Sequence, residues 1–344
     1  MSLPSTALSA QDIAASPAWF PLEPAGPGAM RLVRLDETAY RSASFLDRRL
    51  LQSSPKEARV DGAIVASAAA TLAPGAHYLF HTGHVGSTLV SRLVGEYAGF
   101  FCVREPALLR ELALQPAQGR APAGIGLRDT LALLARTWRA GQRAVVKATS
   151  FASELAEPIL DLDRGACAVL MFTPALAYLR CIMGGPNSRV EAGALAPSRL
   201  ARLRSRLPGA APEMDPRSEG EWIAMSWLCE MLCLRQAAAR FGSRTLWVDF
   251  DAFLGAPEAG LVSIFRTFGT EPAPAQIAGI LSGPLMRRYS KAPEHAYDAA
   301  LRRDVLAGAD REHGAEIRRG MEWLARLARR QPLIGQVLAV DPGP

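Results

Sequence analysis

The chain has 344 residues, a formal net charge of +6, 49% hydrophobic and 21% charged residues. That balance supports a folded core and excludes wholesale disorder and fibrous repeats, and at about 150 residues per domain the length allows one large or two ordinary domains. No apolar run reaches the ~18 residues of a spanning helix, the first residues lack the basic patch and apolar core of a secretory leader, and the positive charge is spread along the chain. An anionic small molecule is therefore the expected partner, rather than a membrane or a nucleic acid.

Residues 1–75 are rich in proline and alanine, with one expected helix near 37–51 and no motif; they read as an N-terminal extension of unknown role. A repeating pattern then begins. Residues 77–82 (HYLFHT) read as a buried strand, 87–97 as a helix and 99–103 (GFFCV) as a second strand. A Pro/Gly-rich stretch, part of an insertion at about 107–127, leads to a helix at 127–140 and a third strand at 143–147 (RAVVK). A fourth strand follows at 166–172 (ACAVLMF), then a Pro- and Arg-rich stretch at 184–218 that reads as a mobile insertion. A long helix at 219–241 precedes a fifth strand at 244–250 (RTLWVDF), and 299–339 is amphipathic and helical. Short apolar runs alternating with helical patterns predict an α/β fold, a central parallel sheet of about five strands flanked by helices. The expected divisions are 1–75, 76–298 and a helical segment 299–344 packed on the same domain.

The five cysteines, at 102, 167, 181, 229 and 233, form no paired motif; Cys229 and Cys233 lie one helical turn apart, as buried thiols do. A reducing, cytoplasmic setting is the expectation. Only three of the 39 basic residues are lysines, Lys56, Lys147 and Lys291, and the rest are arginines. Arginine and lysine differ where a point charge must fit a tight site, so each lysine is worth locating.

Between the first strand and its helix lies 83–88 (GHVGST). A glycine-rich turn in that place points backbone N–H groups and a helix N-terminus at a phosphate or sulfate. Gly83, His84, Val85, Gly86, Ser87 and Thr88 are the candidate anion-binding residues; a structural turn capped by Ser87 is the plainer alternative. The nucleotide-hydrolase pattern GxxxxGK[ST] fails here, because no lysine precedes the hydroxyl pair.

The stretch FHTGHVGSTLVSRLV (80–94) resembles the 5′-phosphosulfate loop of the sulfotransferase superfamily, with Gly86, Ser87 and Thr88 on its Gly-Thr-Thr and His84 in place of its basic residue. The segment 246–258 (LWVDFDAFLGAPE) with FRTFG at 265–269 is similar to a later architectural element of that family, and Val146, Lys147 and Thr149 to a short bacterial motif. The resemblance covers roughly 77–270 and implies a P-loop three-layer sandwich. It also implies the co-substrate 3′-phosphoadenosine-5′-phosphosulfate, with no metal, and transfer of a sulfuryl group to a hydroxyl or amine of a small-molecule acceptor.

On that reading Lys147 and His84 stabilise the transferring group, and Glu105, directly after the second strand, is the general base. The family's arginine and serine for the 3′-phosphate fall on Phe172 and Arg180, so Arg180, Ser188 and Arg189 become the candidates there. The run Arg287, Arg288 and Lys291 resembles the basic segment that closes over the nucleotide, and reads equally as a solvated charge run. For Glu105 a surface pairing with Arg104 or Arg110, and for Lys147 a surface strand end, are the plainer alternatives. Two other functions fit the motifs. One is a catalytically silent anion- or nucleotide-binding protein; the other is a nucleotide-triphosphate-dependent kinase or hydrolase with Asp249 on magnesium. Nothing in the composition names the acceptor or the oligomeric state.

Overall fold

The computed structural model describes residues 8–118, 125–207, 214–287 and 299–339. Strands β1 (Trp19–Pro24), β2 (Ala29–Arg34) and β3 (Glu57–Asp61) make an antiparallel sheet in the order β1-β2-β3. Strands β4 (His77–His81), β5 (Phe100–Arg104), β6 (Arg143–Lys147), β7 (Ala168–Phe172) and β8 (Thr245–Asp249) make a parallel sheet in the order β5-β6-β4-β7-β8. β4, β5 and β7 are buried along their whole length, which is why their middle residues read as continuous apolar runs rather than alternating ones. The fold is thus α/β, as the periodicity predicts, with each of the five expected strands within two residues of its place. Among the described residues no helix is long and apolar enough to cross a membrane.

The chain divides into two compact units, 1–79 with 91–167, and 80–90 with 168–344. In the first, the antiparallel sheet and helix Gly62–Ala70 bury Met30, Leu32, Val60 and Val65 together with Leu108 and Leu133. The expected helix near 37–51 is two pieces, helix Glu37–Ser42 and a 3₁₀ segment Arg48–Ser53. Arginines tie this region down by donating to backbone carbonyls. Arg136 donates to Ile13, Ser16, Trp19 and Leu133, and Arg104 to Tyr40, Arg41 and Ala43. Burial pulls both guanidinium pKa values down to about 10, still well above neutrality.

In the second unit the long helix Glu219–Phe241 packs against helices Pro186–Arg206 and Ala299–Ala328. The stretch 184–218, expected to be mobile, holds that 21-residue helix Pro186–Arg206, with Pro197 inside it. Its Arg199 and Arg202 are buried on Glu230: Arg199 donates to Oε1 at 2.6 Å and Arg202 to Oε2 at 3.2 Å. Helices Glu219–Phe241 and Ala299–Ala328 approach closely at two glycines. A Cβ on Gly220 would lie 1.9 Å from the Glu316 carbonyl oxygen, and one on Gly320 would lie 2.5 Å from that of Gly220. Trp227 and Trp323 are core residues, and all five cysteines are free thiols.

Candidate functional site

In the first unit the ends of β5 and β6 bring together two of the predicted residues. The register pairs Arg104 with Lys147, and the Glu105 N–H donates to the Lys147 carbonyl at 2.7 Å, so the next side chain along β5 is held beside Lys147. Lys147 Nζ donates to Glu105 Oε1. The lysine side chain is 1% exposed and the glutamate's 14%, so this is a buried ion pair open to solvent only on its carboxylate side. Lys147 is thus not a surface strand end. Arg104 in turn has its guanidinium on three carbonyls rather than on Glu105.

Glu105 has φ +47°, a left-handed backbone that a side chain beyond glycine adopts at a cost of roughly 1–3 kcal/mol. Pro106 follows, and a residue before proline is ordinarily pushed to extended conformations. The conformation is held from outside the sheet: Leu46 closes on both sides of it, its N–H donating to Arg104 O at 2.9 Å and its carbonyl accepting from Ala107 N at 3.1 Å. Strain of this kind, at the carboxyl end of a parallel strand and beside a buried lysine, is where such folds place reacting groups.

In the second unit the residues after β4 form the predicted anion loop. Gly83, His84 and Gly86 have φ of +100°, +54° and +63°. Left-handed residues in such a turn bring successive N–H groups into one concavity, the backbone form of an anion nest. The Gly83 N–H donates to His81 Nδ1 at 3.1 Å, which puts the His81 proton on Nε2. Val90 N donates to Gly86 O at 3.1 Å and starts helix Ser87–Gly95. Val85, Ser87 and Thr88 are buried and His84 is half-buried. The hydroxyls of Thr82 and Thr88 are buried without a hydrogen-bond partner. A buried hydroxyl left unsatisfied costs about 1–3 kcal/mol, a cost that an anionic oxygen brought into the loop would remove. Thr82 was not among the sequence candidates; its signal is a threonine between the last strand residue and the first loop glycine.

Gly86 has a second reason to be glycine. A Cβ there would lie 1.9 Å from Cε2 of Phe250, whose ring is buried against it. Phe250 is backed by Arg302, whose guanidinium lies 5.0 Å from the ring centroid. Arg302 also grips Asp251, donating from Nε to Oδ1 at 2.7 Å and from Nη2 to Oδ2 at 3.2 Å, and Thr173 donates to the same carboxylate at 3.1 Å. Burial pushes the neighbouring Cys181 thiol up, against the pull of Arg302. Phe250 and Asp251 lie in the segment 246–258 already matched to an architectural element, Thr173 and Arg302 lie in no motif, and the packing shows what each touches. Gly86→Ala is expected to cost about 2–5 kcal/mol, combining a left-handed alanine with overpacking. The urea midpoint measures it, and Phe250→Ala in the same chain should recover part of the loss.

The other predicted residues stand as follows. Arg180 is held by Asp310, Nε to Oδ1 at 2.9 Å and Nη2 to Oδ2 at 2.7 Å, and Arg189 by Glu219 through two bonds of 2.7 Å. Ser188 lies in the first turn of helix Pro186–Arg206, its Oγ 2.8 Å from where a Cβ on Gly185 would be. Phe172 is a core residue packed edge-on against Trp247. Arg287 is exposed at the end of the 3₁₀ segment Pro284–Arg287, while Arg288 and Lys291 lie outside the described residues. Asp249, the residue a magnesium-dependent enzyme would turn to its metal, instead caps helix Phe250–Gly255, accepting from Asp251 N at 2.7 Å and Ala252 N at 3.0 Å. Among the described residues no three His, Cys, Asp or Glu side chains are grouped as metal ligands.

No protein-family model matches the chain, and no curated protein matches it. Among solved structures it is similar to the sulfotransferase domain from the curacin biosynthetic pathway, at 12% identity and a TM-score of 0.41, covering 73% of this chain and 98% of that one. It is also similar to the sulfotransferase domain of a Synechococcus olefin synthase, at 15% identity and 0.38, covering 70% of this chain and 87% of that one. A third similar structure is sulfotransferase STF1 from Mycobacterium tuberculosis, at 13% identity and 0.36, covering 71% and 82%.

Proposed function

We propose that this chain is a sulfotransferase, moving a sulfuryl group from 3′-phosphoadenosine-5′-phosphosulfate to a hydroxyl or amine of a small-molecule acceptor in the cytoplasm. The observation that carries this reading is the buried Lys147–Glu105 ion pair on a left-handed backbone at the end of β5. A structural salt bridge needs neither the strain nor the solvent-open carboxylate. The anion loop supports it, with three left-handed residues and two unpartnered hydroxyls.

In such a transfer the acceptor oxygen or nitrogen forms a bond to sulfur as the bond from sulfur to the 5′-phosphate oxygen breaks, that oxygen keeping the electron pair. Glu105 takes the acceptor's proton. Once protonated it no longer neutralises Lys147, whose full charge becomes available as negative charge develops on the reacting group. The loop N–H groups, the Ser87 and Thr88 hydroxyls and His84 would hold the anionic end of the donor.

A second reading, an anion-binding protein without turnover, is favoured by one observation. Arg180 and Arg189, the cations expected at a 3′-phosphate, already have carboxylate partners. Two measurements separate the readings. Adenosine 3′,5′-bisphosphate should stabilise the chain against heat more than ATP, ADP or AMP, by about 2.7 kcal/mol at a hundred times its Kd. Labelled sulfuryl transfer to a panel of hydroxyl and amine acceptors should then be detectable. Stabilisation without transfer would favour the silent protein, and the absence of both would overturn the sulfotransferase reading.

A further inference from the structure

The second unit contains a cavity of about 570 Å³ at the C-terminal end of helix Ala299–Ala328 and the approach to helix Glu219–Phe241. Its polar lining is four arginines, Arg217, Arg326, Arg329 and Arg330, and two carboxylates, Asp215 and Glu221. Both carboxylates are engaged. Glu221 is buried and uses both oxygens, accepting from the Arg217 backbone N–H at 2.6 Å and from Arg326 at 2.8 Å, while Asp215 pairs with Arg204 outside the lining. Glu221 therefore fixes Arg326 in place and holds the backbone of Arg217 at the wall.

The arginines are not explained by the helix end alone. Cations near a helix C-terminus are favourable, but here the backbone already closes the last turn, Arg329 N donating to Ala325 O at 3.3 Å and Arg330 N to Leu327 O at 3.0 Å. Spacings of three and four residues put Arg326, Arg329 and Arg330 on one side of the helix end. Four arginines against two carboxylates leave the lining with a net positive charge, which attracts an anion. The planar fork of a guanidinium matches the oxygens of phosphate and sulfate two at a time. A volume of about 570 Å³ is that of a metabolite-sized pocket, within the usual ~300–1,000 Å³.

We propose that this cleft is a second anion site, separate from the loop after β4, which takes a small molecule carrying a phosphate or sulfate ester. Arg326 and Arg217 provide the fixed part, and Arg329 and Arg330 close on the ester from the helix end. The site does not depend on the proposed transfer reaction.

The test is arginine modification with phenylglyoxal, read residue by residue by mass spectrometry on the full chain. Glucose 6-phosphate and glucose 6-sulfate serve as separate probes. Either probe at saturation should slow modification of Arg329 and Arg330 by about tenfold or more, and the more protective one identifies the ester. The Arg329→Gln/Arg330→Gln double variant changes only exposed side chains. It should keep its melting temperature and lose probe affinity, by calorimetry, about ten- to a hundredfold. Equal modification rates with and without both probes would overturn the proposal, as would unchanged affinity in the double variant. Protection by duplex DNA alone would also overturn it, assigning the patch to a polymer.

Discussion

Lys147→Met is expected to lower sulfuryl transfer by about a hundred- to a thousandfold, the effect of removing one preorganised charge from a reacting centre. The lysine is wholly buried on β6, and its replacement leaves the Glu105 carboxylate without its ammonium, so some loss of stability accompanies the loss of rate. Glu105→Gln is gentler on the fold, since an amide oxygen can still accept from Lys147, and should cost about a hundred- to ten-thousandfold in turnover as a lost base. The two should not add: the double variant should be little worse than the poorer single one, as for groups that act as a unit. A pH profile separates base from support. If Glu105 is the base, the acidic limb of kcat/KM disappears in the glutamine variant. Retention of that limb would make Glu105 only the holder of Lys147. Affinity for adenosine 3′,5′-bisphosphate, measured beside it, should change by far less than turnover.

The second large effect lies in the core of the second unit. Glu230→Ala is expected to destabilise the chain by about 3–5 kcal/mol, because it takes the carboxylate away from two buried guanidinium groups, Arg199 and Arg202. Burial works against the charge on Arg199, and the Glu230 carboxylate outweighs it, holding the Arg199 pKa above its ordinary value. Arg202 reaches further, to Cys233 Sγ at 3.2 Å. The cluster as a whole need not be stabilising. Replacing all three residues with methionine and leucine of similar volume should come out near neutral, or stable by a few kcal/mol. Chemical denaturation of the single and triple variants checks both statements. A mild effect of Glu230→Ala would mean that water reaches the pair.

The parallel sheet was legible because each strand is a short apolar run bounded by turn residues, and the carboxyl end of each strand followed from that. Glu105 and Lys147 were therefore placed correctly as strand-end residues. Their pairing was not legible, since it depends on the β5–β6 register and on a left-handed residue before proline. The helix Pro186–Arg206 was hidden by Pro197 and by arginines that look solvated. Their burial is set by Glu230, some thirty positions away on another helix. The antiparallel sheet was hidden by proline. β1 contains Pro21 and Pro24, which a central strand would not tolerate, but β1 is an edge strand. The support behind the anion loop was legible only in part: Phe250 and Asp251 fall in the matched segment 246–258, but their contact with the loop and the role of Arg302 depend on packing.

Those edge prolines and the carbonyl-gripping arginine together set a timetable for synthesis. The Ile13, Ser16 and Trp19 carbonyls wait for a guanidinium 117 to 123 residues later in the chain. At ribosomal speeds of ~5–20 residues per second, that is a delay of roughly 6–24 s. Throughout it, Phe20 and Leu22 lie on a nascent edge strand that can close on β2 and Tyr40 but is not yet clamped by Arg136. Pro21 and Pro24 deprive that strand of two amide donors, and with them of the means to template pairing with another nascent chain.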